Sequence, residues 1–201
     1  MNDPKAEART QAQRERILAA AQACFVKSGF HAASMATIAE TAGMSPGLIY
    51  RYFDNKNAII LAIIERQLED ARDDIACLRS DTDFVSLFSD LFDKWRGGDP
   101  EMMNPALMLE MTAEASRDPQ IGKALAEADA ATGSEVKAWL MQRAQSAGCK
   151  APAQDVNARA FALRCLISGL AVRAIREPNI RGADLRRSLE LVLPHLLSFR
   201  E

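Results

Sequence analysis

Few of the 201 residues are arranged to make or break covalent bonds. There is no GxSxG nucleophile turn, no HExxH metal helix and no glycine-rich phosphate loop, and the two histidines, His31 and His195, lie far apart. Cys24, Cys77, Cys149 and Cys165 form no CxxC pair or other metal-ligand spacing. Each lies in or beside an apolar helical stretch, which predicts buried or inert thiols. The expectation is a non-enzyme without cofactor or metal, although a composite catalytic site or a helical protein-interaction module would leave the same traces. One spacing points to a different chemistry. A helix-turn-helix needs a small residue where its helices cross, a glycine in the turn and apolar anchors on the second helix. Ala39, Gly43, Ile49 and Tyr52 supply these in order.

The elements that would position these residues are all helical. Apolar residues recur at helical spacing nearly throughout, and no two-residue alternation bounded by turns is found. A first helix is predicted over about residues 8 to 28, with Ile17, Leu18, Ala21, Cys24 and Phe25 on one face and Gly29 ending it. Ser34 can cap a short second helix that Gly43 closes. Ser45 can cap a third, with Pro46 at its first position, where the missing amide costs little. Asp54 or Asn55 can cap a fourth, from Lys56 to Leu78. Phe84 to Trp95 forms an amphipathic helix stopped by Gly97-Gly98. Asn104-Pro105 and Asp118-Pro119 each read as a cap followed by a first-turn proline. Two final helices are expected over about 153 to 176 and 183 to 199, with Pro194 placed to kink the last.

Arg16 to Ala21, Phe25, Gly29-Phe30, Ile38-Ala39, Ala42 to Ser45, Gly47, Ile49-Tyr50, Tyr52-Phe53 and Lys56 together resemble the N-terminal domain of the TetR (tetracycline-repressor) family of transcriptional regulators. The resemblance covers about residues 10 to 60, and Leu48 to Phe53 followed by Lys56 is its most telling part. It implies an all-α chain with an N-terminal three-helix helix-turn-helix domain, residues 1–56, and a C-terminal helical ligand-binding and dimerisation domain, residues 57–201. It also implies a recognition helix over residues 46 to 52 that enters the major groove. Arg51 can then donate two bonds to guanine, or contact phosphate, or remain in solvent. Tyr50 and Lys56 fall where the family touches the DNA backbone, Tyr50 having partial core packing as its alternative. Ser34 and Thr37 can offer hydroxyls to phosphate, or Ser34 can cap alone. Ser45, Pro46 and Gly47 complete the expected DNA surface. Tyr52 and Phe53 read as scaffold, His31 as a plain loop histidine, and Lys5, Arg9 and Arg14 as an arm that reaches phosphate or stays solvated.

The expected partners are a palindromic operator duplex, a second copy of the chain and a small apolar or amphipathic effector of unknown identity that releases a repressor. Phe88, Phe92, Trp95, Met103, Leu107, Met108, Met111, Trp139 and Phe161 can line an adaptable cavity or make up an ordinary core. Glu110 and Glu114, one turn apart, can orient a cationic ligand, but a solvated face is the preferred reading. Residues 110 to 119 also resemble a stretch found in one class of these effector domains. Phe161 to Val172 is apolar around most of its circumference, so Phe161, Cys165, Ser168, Gly169, Leu170 and Val172 are assigned to a homodimer interface. Leu185, Leu189, Val192 and Leu196 join them from the last helix.

Composition suits this reading. The chain is 48% hydrophobic and 26% charged, with a net charge of −2. Residues 1–56 hold seven basic and five acidic side chains, a net of +2, leaving −4 on the remainder. The charged opening lacks the apolar core of a signal peptide, and the longest apolar run, Ala58 to Ile64, is far too short for a membrane span. A cytoplasmic protein with no membrane partner is expected.

Overall fold

The structure, a computed structural model, describes residues 4–78, 82–99 and 102–199, with side chains from residue 6 onward. Lys5 belongs to the expected arm, and its side chain lies outside the described residues. Among the described residues every regular element is a helix: α1 (Pro4–Ala32), α2 (Met35–Thr41), α3 (Pro46–Ile49), α4 (Lys56–Ala76), α5 (Phe84–Gly97), α6 (Pro105–Ala115), α7 (Pro119–Ser146), α8 (Ala153–Arg176) and α9 (Gly182–Leu197). None is long and apolar enough to cross a membrane.

The caps explain most boundaries. Ser34 Oγ accepts the Thr37 amide at 3.0 Å to start α2, and Asp83 accepts from Val85 and Ser86 to start α5. Gly98 ends α5 in the left-handed conformation. Asp118 Oδ1 accepts from Gln120 at 2.8 Å and Ile121 at 3.2 Å, which starts α7 and holds the carboxyl below its ordinary pKa. Gly29, at φ 78 and ψ 162, ends the first continuous run of helix, and one further turn follows it to Ala32. α4 ends at Ala76, two residues before the expected Leu78.

The chain forms two compact units, residues 1–67 with 106–126, and residues 68–105 with 127–201. In the first, α1 packs on α2 and α2 on α3. Ile17, Ala21, Phe25, Ile38, Ala39, Ile49, Ile59 and Ile63 are almost wholly buried there, each large side chain contributing about 1.5–3 kcal/mol of apolar transfer. In the second, α5 lies against α8 and α9, and α8 against α9. Phe84, Phe88, Phe92, Leu140, Leu163, Leu170, Leu185, Leu189 and Leu193 fill its core. Of the four thiols, Cys24 is buried and Cys149 half-buried, whereas Cys77, just past the end of α4, and Cys165 on α8 are exposed.

Candidate nucleic-acid interface

The site is built on the turn between α2 and α3. Met44 N–H donates to Ala39 C=O at 2.8 Å and Gly43 N–H to Glu40 C=O at 2.9 Å, which closes α2 with Gly43 at φ 63. Only glycine suits this position. The left-handed backbone disfavours a side chain, and Arg16 Nη2 lies 2.6 Å from where a β-carbon would stand. The bond from Leu48 N–H to Ser45 C=O then starts α3. The expected recognition helix over 46 to 52 is helical only across Pro46–Ile49 and continues as turns, with Arg51 and Tyr52 amides bonded three residues back. Arg14 closes its end, donating to Tyr52 C=O at 2.9 Å while its guanidinium lies 4.3 Å over the Phe53 ring.

Ile38, Ala39, Ala42, Met44, Ile49 and Phe53 are buried beneath this hairpin. Above them Ser34, Thr37, Ser45, Pro46, Gly47, Tyr50 and Arg51 are all exposed. Tyr50 is 54% exposed, so core packing does not occupy it. Ser34 both caps α2 and bonds the Thr37 hydroxyl at 2.8 Å. The Ser45 hydroxyl makes no capping bond and remains available to a partner. Tyr52 is half-buried and Phe53 buried.

Two cations depart from expectation. Arg14 braces the α3 end instead of extending as an arm. Lys56 points inward, donating to Phe30 C=O at 2.7 Å and His31 C=O at 3.3 Å, with its ammonium 4.6 Å over the Phe30 ring. Burial lowers its pKa from the ordinary lysine value, and the negative charge of Glu114 works the other way. Within the chain itself the Lys56 ammonium is thus engaged by two backbone carbonyls.

The acidic pair of α6 is also not a solvated face. Glu110 Oε2 accepts the Phe30 amide at 3.2 Å, and Glu114 is 5% exposed with Oε2 3.2 Å from His31 Nε2. His31 therefore sits on the last turn of α1 facing a buried carboxylate, and is not a plain loop residue. The sequence offers no sign that Arg14, His31 and these two carboxylates serve the hairpin, beyond the one-turn spacing of Glu110 and Glu114 on a mainly apolar helix.

The nine residues expected around a ligand divide. Phe88 and Phe92 are buried in the second unit, with Trp95 and Trp139 half-buried against the same core, and Met103 is also half-buried. Leu107 and Met111 are buried and Met108 half-buried in the first unit. Phe161 is 64% exposed, because its side of α8 faces away from the core. The expected dimer residues divide too. Leu170, Leu185 and Leu189 are consumed by the second unit's own core. Phe161, Cys165, Ser168, Gly169 and Val192 are exposed, and Val172 and Leu196 are half-buried.

Comparison with known proteins places this geometry. Residues 17–63 match the model of bacterial regulatory proteins of the tetR family, and residues 91–200 match that of the BetI-type transcriptional repressor C-terminal region. The chain is 31% identical over 195 residues to the HTH-type transcriptional regulator UidR of Escherichia coli K12, covering 94% of this chain and 96% of UidR. It is similar to the structure of Salmonella enterica GusR, with a TM-score of 0.76, 29% identity, and 92% and 95% of the two chains covered. It shares its fold with FadR of Bacillus subtilis in complex with stearoyl-CoA, with a TM-score of 0.66, 20% identity, and 93% and 99% covered.

Proposed function

We propose, from the premise that this chain belongs to the tetR family of bacterial regulatory proteins, that it is a ligand-released repressor binding a palindromic operator as a homodimer. That it is a DNA-binding transcriptional regulator follows from the family. The single observation that carries the finer reading is the exposed row Ser34, Thr37, Ser45, Pro46, Gly47, Tyr50 and Arg51, mounted on a buried apolar hairpin. In this reading the hydroxyls and Tyr50 hold phosphates and fix register, Pro46 and Gly47 bring backbone and apolar surface close to base edges, and Arg51 reads a guanine.

The homodimer is supported by the outer faces of α8 and α9. Phe161 and Ile175 on α8 and Leu191 and Val192 on α9 are 64%, 44%, 57% and 41% exposed, and it is their grouping on these two helices that suits an interface. Ser168 and Gly169 on α8 allow a second helix to approach closely. Two copies then present their α3 helices as a symmetric pair, and half-sites lie about one helical turn apart or a multiple of it.

The repressor reading is supported by the BetI-type match over residues 91–200. Effector binding is supported by the large apolar content of α5, α6 and α7 and by a fold that holds an amphipathic molecule in the Bacillus subtilis FadR complex. An effector lowers operator affinity only by preferring the conformation that binds DNA poorly, and tenfold release needs about 1.4 kcal/mol of coupling. Selection of bound sequences from random duplex DNA tests the core of this reading. A palindromic motif is expected, and a purely asymmetric one refutes the symmetric dimer.

A further inference from the structure

Gly29 interrupts α1 within the last two turns, and the interruption leaves the Phe30 amide without the helical carbonyl it would otherwise meet. That amide donates to Glu110 Oε2 at 3.2 Å, a residue 80 positions away on α6. The turn that follows is held at its other end as well, because the Lys56 ammonium takes the Phe30 and His31 carbonyls. His31 in turn faces Glu114 one helical turn along α6, and the Glu114 carboxylate is buried, with no hydrogen bond to Oε2 among the described residues. His31 Nε2 lies within ion-pair distance of that oxygen, and Arg117 Nη1 stands 3.9 Å away. Three residues beyond His31 is Ser34, which starts α2. The segment that launches the helix-turn-helix is thus pinned by α6.

We propose that Glu110 and Glu114 are positioning residues for operator binding. Glu110 fixes the Phe30 amide, Glu114 fixes His31, and together they set the direction in which α2 leaves α1. Neither touches DNA. The inference rests on the DNA-binding reading and extends it. It names the side chains through which α6, outside the helix-turn-helix in sequence, controls the geometry of that motif. A carboxylate acceptor makes a stronger bond to an amide than a neutral one does, so Glu110 holds the Phe30 amide in one geometry.

The test uses the full chain and the duplex it enriches most from a random pool. Glu110→Ala should bind that duplex about tenfold more weakly, ~1.4 kcal/mol, and its Phe30 amide should exchange with solvent faster. Glu110→Gln keeps an acceptor oxygen and should restore affinity to within about twofold, a rescue that mere helix stability would not require. His31→Ala and Glu114→Gln should each weaken binding by a similar factor, and the double variant no further, since the two belong to one pair. In the wild-type chain, which needs no variant to fold, operator binding should slow Phe30 amide exchange. The proposal is overturned by unaltered affinity in a Glu110→Ala protein whose Phe30 amide is exposed, by a Glu110→Gln protein as weak as Glu110→Ala, by additive losses at His31 and Glu114, or by wild-type exchange indifferent to the duplex. If the wild-type chain enriches no duplex at all, the DNA-binding reading falls with it. Wild-type binding alongside indifferent variants removes only the positioning role.

Discussion

Substituting Phe161 separates the two uses to which α8 puts its apolar residues. Phe161 is 64% exposed within one chain. Burying that share of a side chain offering about 200 Å² removes about 130 Å² from water in each protomer. In a two-fold dimer the residue appears twice, so at about 25 cal/mol per Å² the pair contributes about 6 kcal/mol, and Phe161→Glu should weaken dimerisation by roughly 10⁴-fold. Two carboxylates brought to the same surface oppose association further. Sedimentation velocity across a concentration series should show a folded monomer at micromolar protein, with helical circular dichroism and melting close to wild type. Leu170→Glu is the contrasting variant. Leu170 is 8% exposed and sits in the second unit's own core, so a charge there should cost folding before it costs assembly. A Phe161→Glu protein that sediments as the wild-type dimer down to nanomolar concentration would refute the assignment of this face.

Arg51→Ala should relax the selected motif at one base position and cost about 1–3 kcal/mol, whereas an unchanged motif would show that Arg51 does not read a base. Lys56→Met should lower the melting temperature by removing a clamp worth about 1–2 kcal/mol while leaving the salt dependence of DNA binding unchanged, because its ammonium holds carbonyls and not phosphate. Gly43→Ala should destabilise the chain by about 2 kcal/mol, from left-handed strain and displacement of Arg16, and should recover part of the loss in an Arg16→Ala background when both are followed by chemical denaturation. Asp118, whose carboxyl is held below its ordinary pKa by the Ile121 and Gln120 amides, contributes stability that is full above the unfolded value of about 3.9 and is lost as pH falls through the lowered folded value. Acid melting of Asp118→Asn should lack that component, and an identical acid profile would exclude it.

Much of this was legible in the sequence because it depends on neighbours along the chain. Caps and stops are local chemistry. Ser34, Pro46, Asp118 and Gly98 start or end helices through bonds spanning a few residues, and three- and four-residue periodicity marks which face turns inward. The helix-turn-helix belongs to the same class, since Ala39, Gly43 and Ile49 act within eleven positions of one another. The exposed row from Ser34 to Arg51 was accessible for the same reason.

Tertiary structure decided whatever depends on which surfaces meet. Leu170 and Phe161 lie on one helix with similar chemistry, and periodicity alone assigned both to an interface. Only the packing of α8 on α5 and α9 shows that the core takes Leu170 and leaves Phe161 outside. Lys56 reads as a phosphate ligand until Phe30 and His31 are seen to offer it two carbonyls. Glu110 and Glu114 read as a solvated face until α6 is found beside the break at Gly29. A carboxylate's role is set by the donors within about 3 Å of it, and here those donors come from 80 residues away, a separation at which no local pattern in the chain carries information.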